Sequence, residues 1–305
     1  MLRIAFDPLY IHPLPQGPNG EPHRFPMSKY ELIPEQLLYE GTCTPENFFS
    51  PQPVEDRWVL GVHTAEYVRM LKTLTVPDRM MRKVGFPLSE GLVKREWIIT
   101  QGTIDCSRLA LEHGVALNVA GGTHHAYADR GEGFCLLNDV AVAAHYLLEN
   151  GLVRKVLVVD LDVHQGNGTA VIFQNEDRVF TFSMHGKDNY PLRKEISDLD
   201  IALPTGTTDE PYLAALVETL PRLIEEQKPD FLFYISGVDI LATDKLGKFK
   251  VSLEGCRQRD AFVFEQARRY GLPIAVSMGG GYSPRIADIV EAHCNTYRLA
   301  DRIFF

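Results

Sequence analysis

Asp160-Leu161-Asp162-Val163-His164 closes the apolar run Lys155-Val156-Leu157-Val158-Val159 and carries residue types suited to holding a divalent cation. A strand turns successive side chains to opposite faces. An extended backbone continued through this run would therefore put Asp160, Asp162 and His164 on one face. Two carboxylates and an imidazole gathered out of water are costly unless compensated. A metal is the simplest compensation, because Asp oxygen and His nitrogen both ligate zinc. Gly166-Asn167-Gly168 then permits a tight turn beside the site. The competing reading is a strand end whose carboxylates cap the next helix.

Short elements must position these groups. Two-sided apolar runs at 115–119, 155–160, 178–183, 231–236 and 273–277 read as strands, as does the N-terminal Met1-Leu2-Arg3-Ile4-Ala5-Phe6. Helical spacing marks 63–74, 103–113, 138–150, the stretch after Asn167, 209–227 and 252–270. Asn138 can cap the third of these, and Gly114, Gly151 and Gly271 stop three of them. Buried strands alternating with amphipathic helices predict a single α/β domain with a mostly parallel central sheet and helices on both faces. Ten of the 19 prolines lie between Pro8 and Pro53, so residues 1–54 are expected to be a loop-rich part of the same 1–305 domain, with at most short helices.

A hydrophobic content of 45% supports a sizeable core, and a net charge of −9 argues against a nucleic-acid partner while leaving room for a locally basic substrate. Cys43, Cys106, Cys135, Cys256 and Cys294 are scattered without CxxC spacing, which fits the reduced thiols of a cytoplasmic protein. The N-terminus reads as a strand and not as a signal peptide, and no apolar stretch approaches the ~20 residues needed to span a bilayer. Oligomeric state leaves no mark in the sequence.

In open parallel sheets, functional groups gather beyond the carboxyl ends of the strands. Four expected strand ends carry unusual chemistry: Gly121-Gly122-Thr123-His124-His125-Ala126, the Asp160–His164 run, Gly237-Val238-Asp239, and Met278-Gly279-Gly280-Gly281-Tyr282. Each has a plainer reading. The histidines can be a hydrogen-bonded loop pair, and Asp239 a cap or ion-pair partner. The glycines can be a phosphate-cradling turn, although the Lys-Ser/Thr of a P-loop is absent. Together they supply Asp162 and His164 with a third ligand, a proton-handling pair and a hydroxyl.

These motifs, in this order, resemble the zinc-dependent histone deacetylases and their bacterial relatives. GGTHHA from Gly121, DRGEGFCLLND from Asp129, DLDVHQGNGT from Asp160, SGVD from Ser236 and GGGY from Gly279 all match, and HRFPMSKY from His23 is similar to the family's N-terminal segment. Asp129-Arg130-Gly131 and Gln165-Gly166-Asn167 look most like the class IV branch. The resemblance implies an arginase/deacetylase-like fold with Asp162, His164 and Asp239 as the ligands of one catalytic metal. Zinc is expected, and Fe²⁺ tolerates the same mixed N/O set. A two-metal relative would need an Asp where Gly166 stands.

The same resemblance implies roles for the neighbours. His124, backed by Asp160, and His125, backed by Asn167, would move protons. Other members of the family carry an Asp behind the second histidine; a neutral amide there implies a lower pKa at His125, which favours it as general base. Tyr282 would donate to the developing oxyanion. Gly133, Phe134, Gly280 and Gly281 would shape the acyl-lysine channel, with Tyr190 as the facing aromatic wall. A structural potassium would draw on Asp160 and Ser183 by side chain and on Asp162, His164 and Met184 by carbonyl. Cys135 lies near the site with nothing to mark it as a nucleophile. The expected partner is an acyl-lysine peptide or protein, with acetyl or longer fatty acyl groups both open. The alternatives are an acetylpolyamine or similar small acylated amine as substrate, and a non-catalytic acyl-lysine-binding module.

Overall fold

The computed structural model describes residues 1–16 and 19–305; Pro18, counted in the loop-rich stretch, lies outside them. Their strands are β1 (Ile4–Ala5), β2 (Phe48–Phe49), β3 (Val115–Asn118), β4 (Val156–Asp160), β5 (Val179–Gly186), β6 (Leu199–Leu203), β7 (Phe231–Ile235) and β8 (Ile274–Ser277). They form one eight-stranded sheet in the order β2-β1-β3-β8-β7-β4-β5-β6. Every pairing is parallel. The four central strands β3, β8, β7 and β4 are buried throughout, which is why their sequences are apolar on both faces.

Strand order decides where chemistry gathers. After β3 the chain crosses to β4, skipping two places that β7 and β8 fill only later. The carboxyl ends of these four strands therefore stand side by side, and the loops leaving them meet over the centre of the sheet.

The sequence misjudged several elements. Residues 8–53 contain an 11-residue helix, Lys29–Tyr39, with Pro34 inside it. Proline removes one backbone donor there, but Ile33, Pro34 and Leu37 are buried and the helix packs on the C-terminal helix Ile286–Phe304, so burial outweighs the lost bond. That C-terminal helix was not anticipated. The helix expected over 103–113 is the second half of Glu90–His113, which Ser89 caps through the Leu92 amide. Edge strand β6 also escaped notice, because its residues are mostly half-exposed and lack a two-sided apolar run.

One buried carboxylate ties these elements together. Asp139, the first residue of helix Asp139–Glu149, accepts hydrogen bonds from the Gly122 and Thr123 amides and from the hydroxyls of Thr103, Thr123 and Ser277. It thereby fixes the loop after β3, the end of β8 and helix Glu90–His113 against one another. Asp139→Ala leaves five donors without that acceptor, and urea denaturation is expected to show a loss of about 3 kcal/mol.

Candidate active site

Strand β4 stops at Asp160, and the chain bends through 162–164. The expectation of three side chains on one extended face is therefore corrected. Asp160 joins His124, whereas Asp162 and His164 turn to Asp239 from the loop after β7. His164 Nδ1 lies 3.0 Å from Asp162 Oδ1 and 3.1 Å from Asp239 Oδ2. Each of the three buried residues offers a ligand atom within 4.8 Å of the others.

Backbone amides hold the carboxylates in place. Asp162 accepts from the His164 and Gly280 amides, and Asp239 accepts from Val163. A Cβ at Gly280 would lie 2.0 Å from Asp239 Oδ2, and one at Gly237 2.4 Å from Asp162 Oδ2, so neither position tolerates a side chain. The cluster draws in positive charge. Burial pushes His164 down, but the hydrogen bonds to Asp162 and Asp239 prevail and raise its pKa to about 10. Burial and then Asp162 raise Asp239 to about 7. Two carboxylates and an imidazole competing for one proton suit a divalent cation, and the mixed donors fit zinc or Fe²⁺.

Beside this trio the rings of His124 and His125 stand 4.2 Å apart. His124 Nδ1 is 2.6 Å from Asp160 Oδ2. Burial depresses its pKa, yet the Asp160 carboxylate more than offsets this and lifts it to about 9. His125 Nδ1 is 2.6 Å from Asn167 Oδ1. Burial first, then His124 and His164, drive its pKa well below that of a free imidazole, against a smaller upward push from the Asn167 hydrogen bond. Asn167 is itself held, since its Nδ2 donates to the Tyr127 hydroxyl, which donates to Glu195.

Both histidines, Asp162, His164, Phe134, Gly133, Gly280 and Tyr282 line one narrow cavity of about 40 Å³. Phe134 has a positive φ of 67° and is clamped by its amide to Val84 O at 2.7 Å. A phenylalanine held in that strained region is evidence that its ring direction matters. Its ring is 5.9 Å from that of Tyr282, whose amide is anchored on Asp244. Cys135 is buried and burial pushes its thiol far up, consistent with an inert group.

Other expected residues stand elsewhere. Tyr190 stands beside the cavity and not in its innermost lining. It lies edge-on to His125 at 4.9 Å, with its hydroxyl donating to Glu132 at 2.6 Å, because that buried carboxylate pulls it to the rim. Gly281 faces Val238, Ile289 and His293, away from the cavity. Asp160 and Ser183 are register partners across β4 and β5, but the Ser183 hydroxyl is 3.0 Å from His185 Nδ1. Sequence reasoning missed Tyr127, Glu132, Asp139 and Lys29. Lys29 is buried at the cavity with its Nζ 3.3 Å from Gly279 O, and burial lowers its pKa to about 8. Glu132 and Asp139 sit inside the quoted motifs, which was the available signal.

The histone deacetylase domain model matches residues 23–297. The chain belongs to the histone deacetylase family. It is 42% identical over 301 residues to an uncharacterized protein of Picosynechococcus sp., covering 99% of both chains. It is 29% identical to histone deacetylase 2 of Arabidopsis thaliana, over 88% of this chain and 72% of that one. The crystal structure of the HDA15 HD domain shares the fold, with a TM-score of 0.83 and 22% identity over 99% of this chain and 88% of that one. Membership supports a deacetylase hydrolase, and no helix among the described residues is long and apolar enough to cross a membrane.

The raised His124 pKa has a defined consequence for stability. The charged His124–Asp160 pair stabilises the fold fully below pH ~6.5, and that contribution, no more than about 3 kcal/mol, is lost as pH rises through about 9. Urea denaturation of metal-stripped protein between pH 6 and 10 should show this slope together with that of His164, and Asp160→Asn should remove the His124 share and leave the rest. Added Zn²⁺ should raise the melting temperature of metal-stripped protein, and Asp239→Asn should abolish that rise.

Proposed function

We propose that the chain is a metal-dependent amidohydrolase that removes an acetyl group from the Nε of lysine. The observation that carries this reading is the Asp162–His164–Asp239 trio beside two differently tuned histidines, all on one narrow aromatic cavity. A Zn²⁺ or Fe²⁺ ion held by those three residues would supply Lewis acidity, polarising an amide carbonyl and lowering the pKa of a bound water.

The residues of the chain divide the remaining work. His125, kept neutral, is the base that takes a proton from water on its Nε2 edge. His124, kept charged by Asp160, stabilises negative charge beside it and can protonate the leaving amine. The Tyr282 hydroxyl, its pKa pushed well up by burial and then by Asp162 and Asp239, stays protonated and donates to the oxyanion. Phe134 and the aromatic residues around it exclude water from the acyl-lysine stem. The cavity is narrow, about 40 Å³, which suits a short acyl group. The class IV assignment and the structural potassium remain part of this proposal. Five buried free cysteines support a reducing compartment such as the cytoplasm.

Turnover of lysine peptides carrying acetyl to myristoyl groups, alongside acetylpolyamines, tests the reading. Acetyl-lysine is expected to be the fastest and metal-stripped protein inactive. Tyr282→Phe is expected to lower kcat by about 10²–10³-fold with KM little changed. A variant as fast as wild type would remove the mechanism.

A further inference from the structure

The mouth of the cavity carries a charge that the rest of the chain does not. Arg24 is exposed, and its guanidinium carbon lies 4.8 Å from the centre of the Phe134 ring. Among the described residues its side chain forms neither hydrogen bond nor ion pair. Nearby, Lys83 and Arg130 share the carboxylate of Glu132, both at 3.1 Å, and Arg130 also pairs with Asp129 at 2.9 Å, which leaves Arg24 as the surplus positive charge of this group. The rim is thus locally positive on a chain of net charge −9.

From this rim a groove of about 670 Å³ runs along residues 74–88, within the roughly 300–1,000 Å³ typical of ligand sites. Leu74 and Leu88 are its accessible apolar side chains, over the buried Val76, Met81 and Phe86; Arg82 adds a further exposed cation, and Asp78 is the one carboxylate on its wall among the described residues. The groove adjoins the cavity across the Phe134 ring. Phe86 packs at 5.2 Å on Phe134, and a Cβ on Gly85 would lie 3.0 Å from Phe134 Cε1 and 3.3 Å from Arg24 Nη2. Phe134 is therefore a partition, with the acyl-lysine cavity on one side and Arg24 and the groove on the other.

We propose that this groove docks the polypeptide flanking the acyl-lysine, and that Arg24 selects an acidic residue adjacent to that lysine, followed by an apolar residue in the groove. The inference rests on the deacetylase reading and narrows its substrate to peptides or proteins, excluding free acylated amines as preferred partners. An exposed guanidinium contributes modestly to affinity and more to discrimination, because a basic flank would meet it as a like charge.

The test measures kcat/KM on acetyl-lysine peptides with Asp-Leu, Gly-Leu, Lys-Leu or Asp-Gly beside the lysine, and on a small acetylated amine. Wild type should favour Asp-Leu over Lys-Leu by roughly threefold to tenfold, less at high salt, and Asp-Leu over Asp-Gly. Arg24→Glu should invert the charge preference, Arg24→Gln should level it, and Arg82→Glu should weaken it. All three should leave turnover of the small amine unchanged, which shows that the cavity itself is intact. Equal rates on all peptides, or a preference that survives Arg24→Glu, would overturn the docking proposal while leaving the deacetylase reading in place. No turnover of any substrate by metal-loaded wild type would overturn the deacetylase reading and this proposal with it.

Discussion

Three carboxylates, Asp160, Asp162 and Asp239, are withdrawn from water at adjacent strand ends, and their neighbours are arranged around that cost. Burying an unpaired charge is among the most expensive acts in folding. Here every carboxylate accepts from backbone amides or imidazole nitrogen. Glycines at 237 and 280 let the backbone come close enough to do so. The same concentration of negative charge makes a cation-binding trio physically reasonable. It also explains why the neighbouring imidazoles do not behave alike.

The two histidines differ by one backing residue each, and that difference separates their chemistry. Asp160 supplies a full charge to His124, whereas Asn167 supplies only a dipole to His125. Adjacent imidazoles cannot both be charged cheaply, so the one with the carboxylate keeps the proton. A hydrogen-bond chain through Tyr127 to Glu195 steadies the neutral side without burying a second anion. The proposed division between base and electrostatic partner follows from this asymmetry.

The aromatic wall has its own constraint. Phe134 is forced into a positive φ because Gly133 and Phe134 donate to Lys83 O and Val84 O while Cys135 turns back to Glu132. The ring then separates cavity from groove, with Phe25 and Phe86 packed behind it. Such strain persists only where the surroundings over-determine it.

The sequence by itself determined the family and the candidate residues. Two-sided apolar strands β3, β4, β7 and β8 announced a parallel sheet, because that signal is local and periodic, and the polar runs at their ends, with the family resemblance they carry, named Asp162, His164, Asp239, His124, His125 and Tyr282 as candidates. It misread elements whose stability is not local: helix Lys29–Tyr39 with its proline, the C-terminal helix on which it packs, and half-exposed β6. Only the tertiary structure decided that the Tyr190 hydroxyl meets Glu132 and that Gly281 faces away from the cavity; it also takes Asp160 off the extended face and sets it on His124, where the family resemblance had it. It also revealed Asp139 as the knot between three elements and Arg24 as a cation on Phe134 with no ion-pair partner among the described residues. Spacing along a chain fixes which side chains can share a face. Which partner each finally meets depends on strand order and on bends that relieve buried charge, and those are set by contacts far apart in sequence.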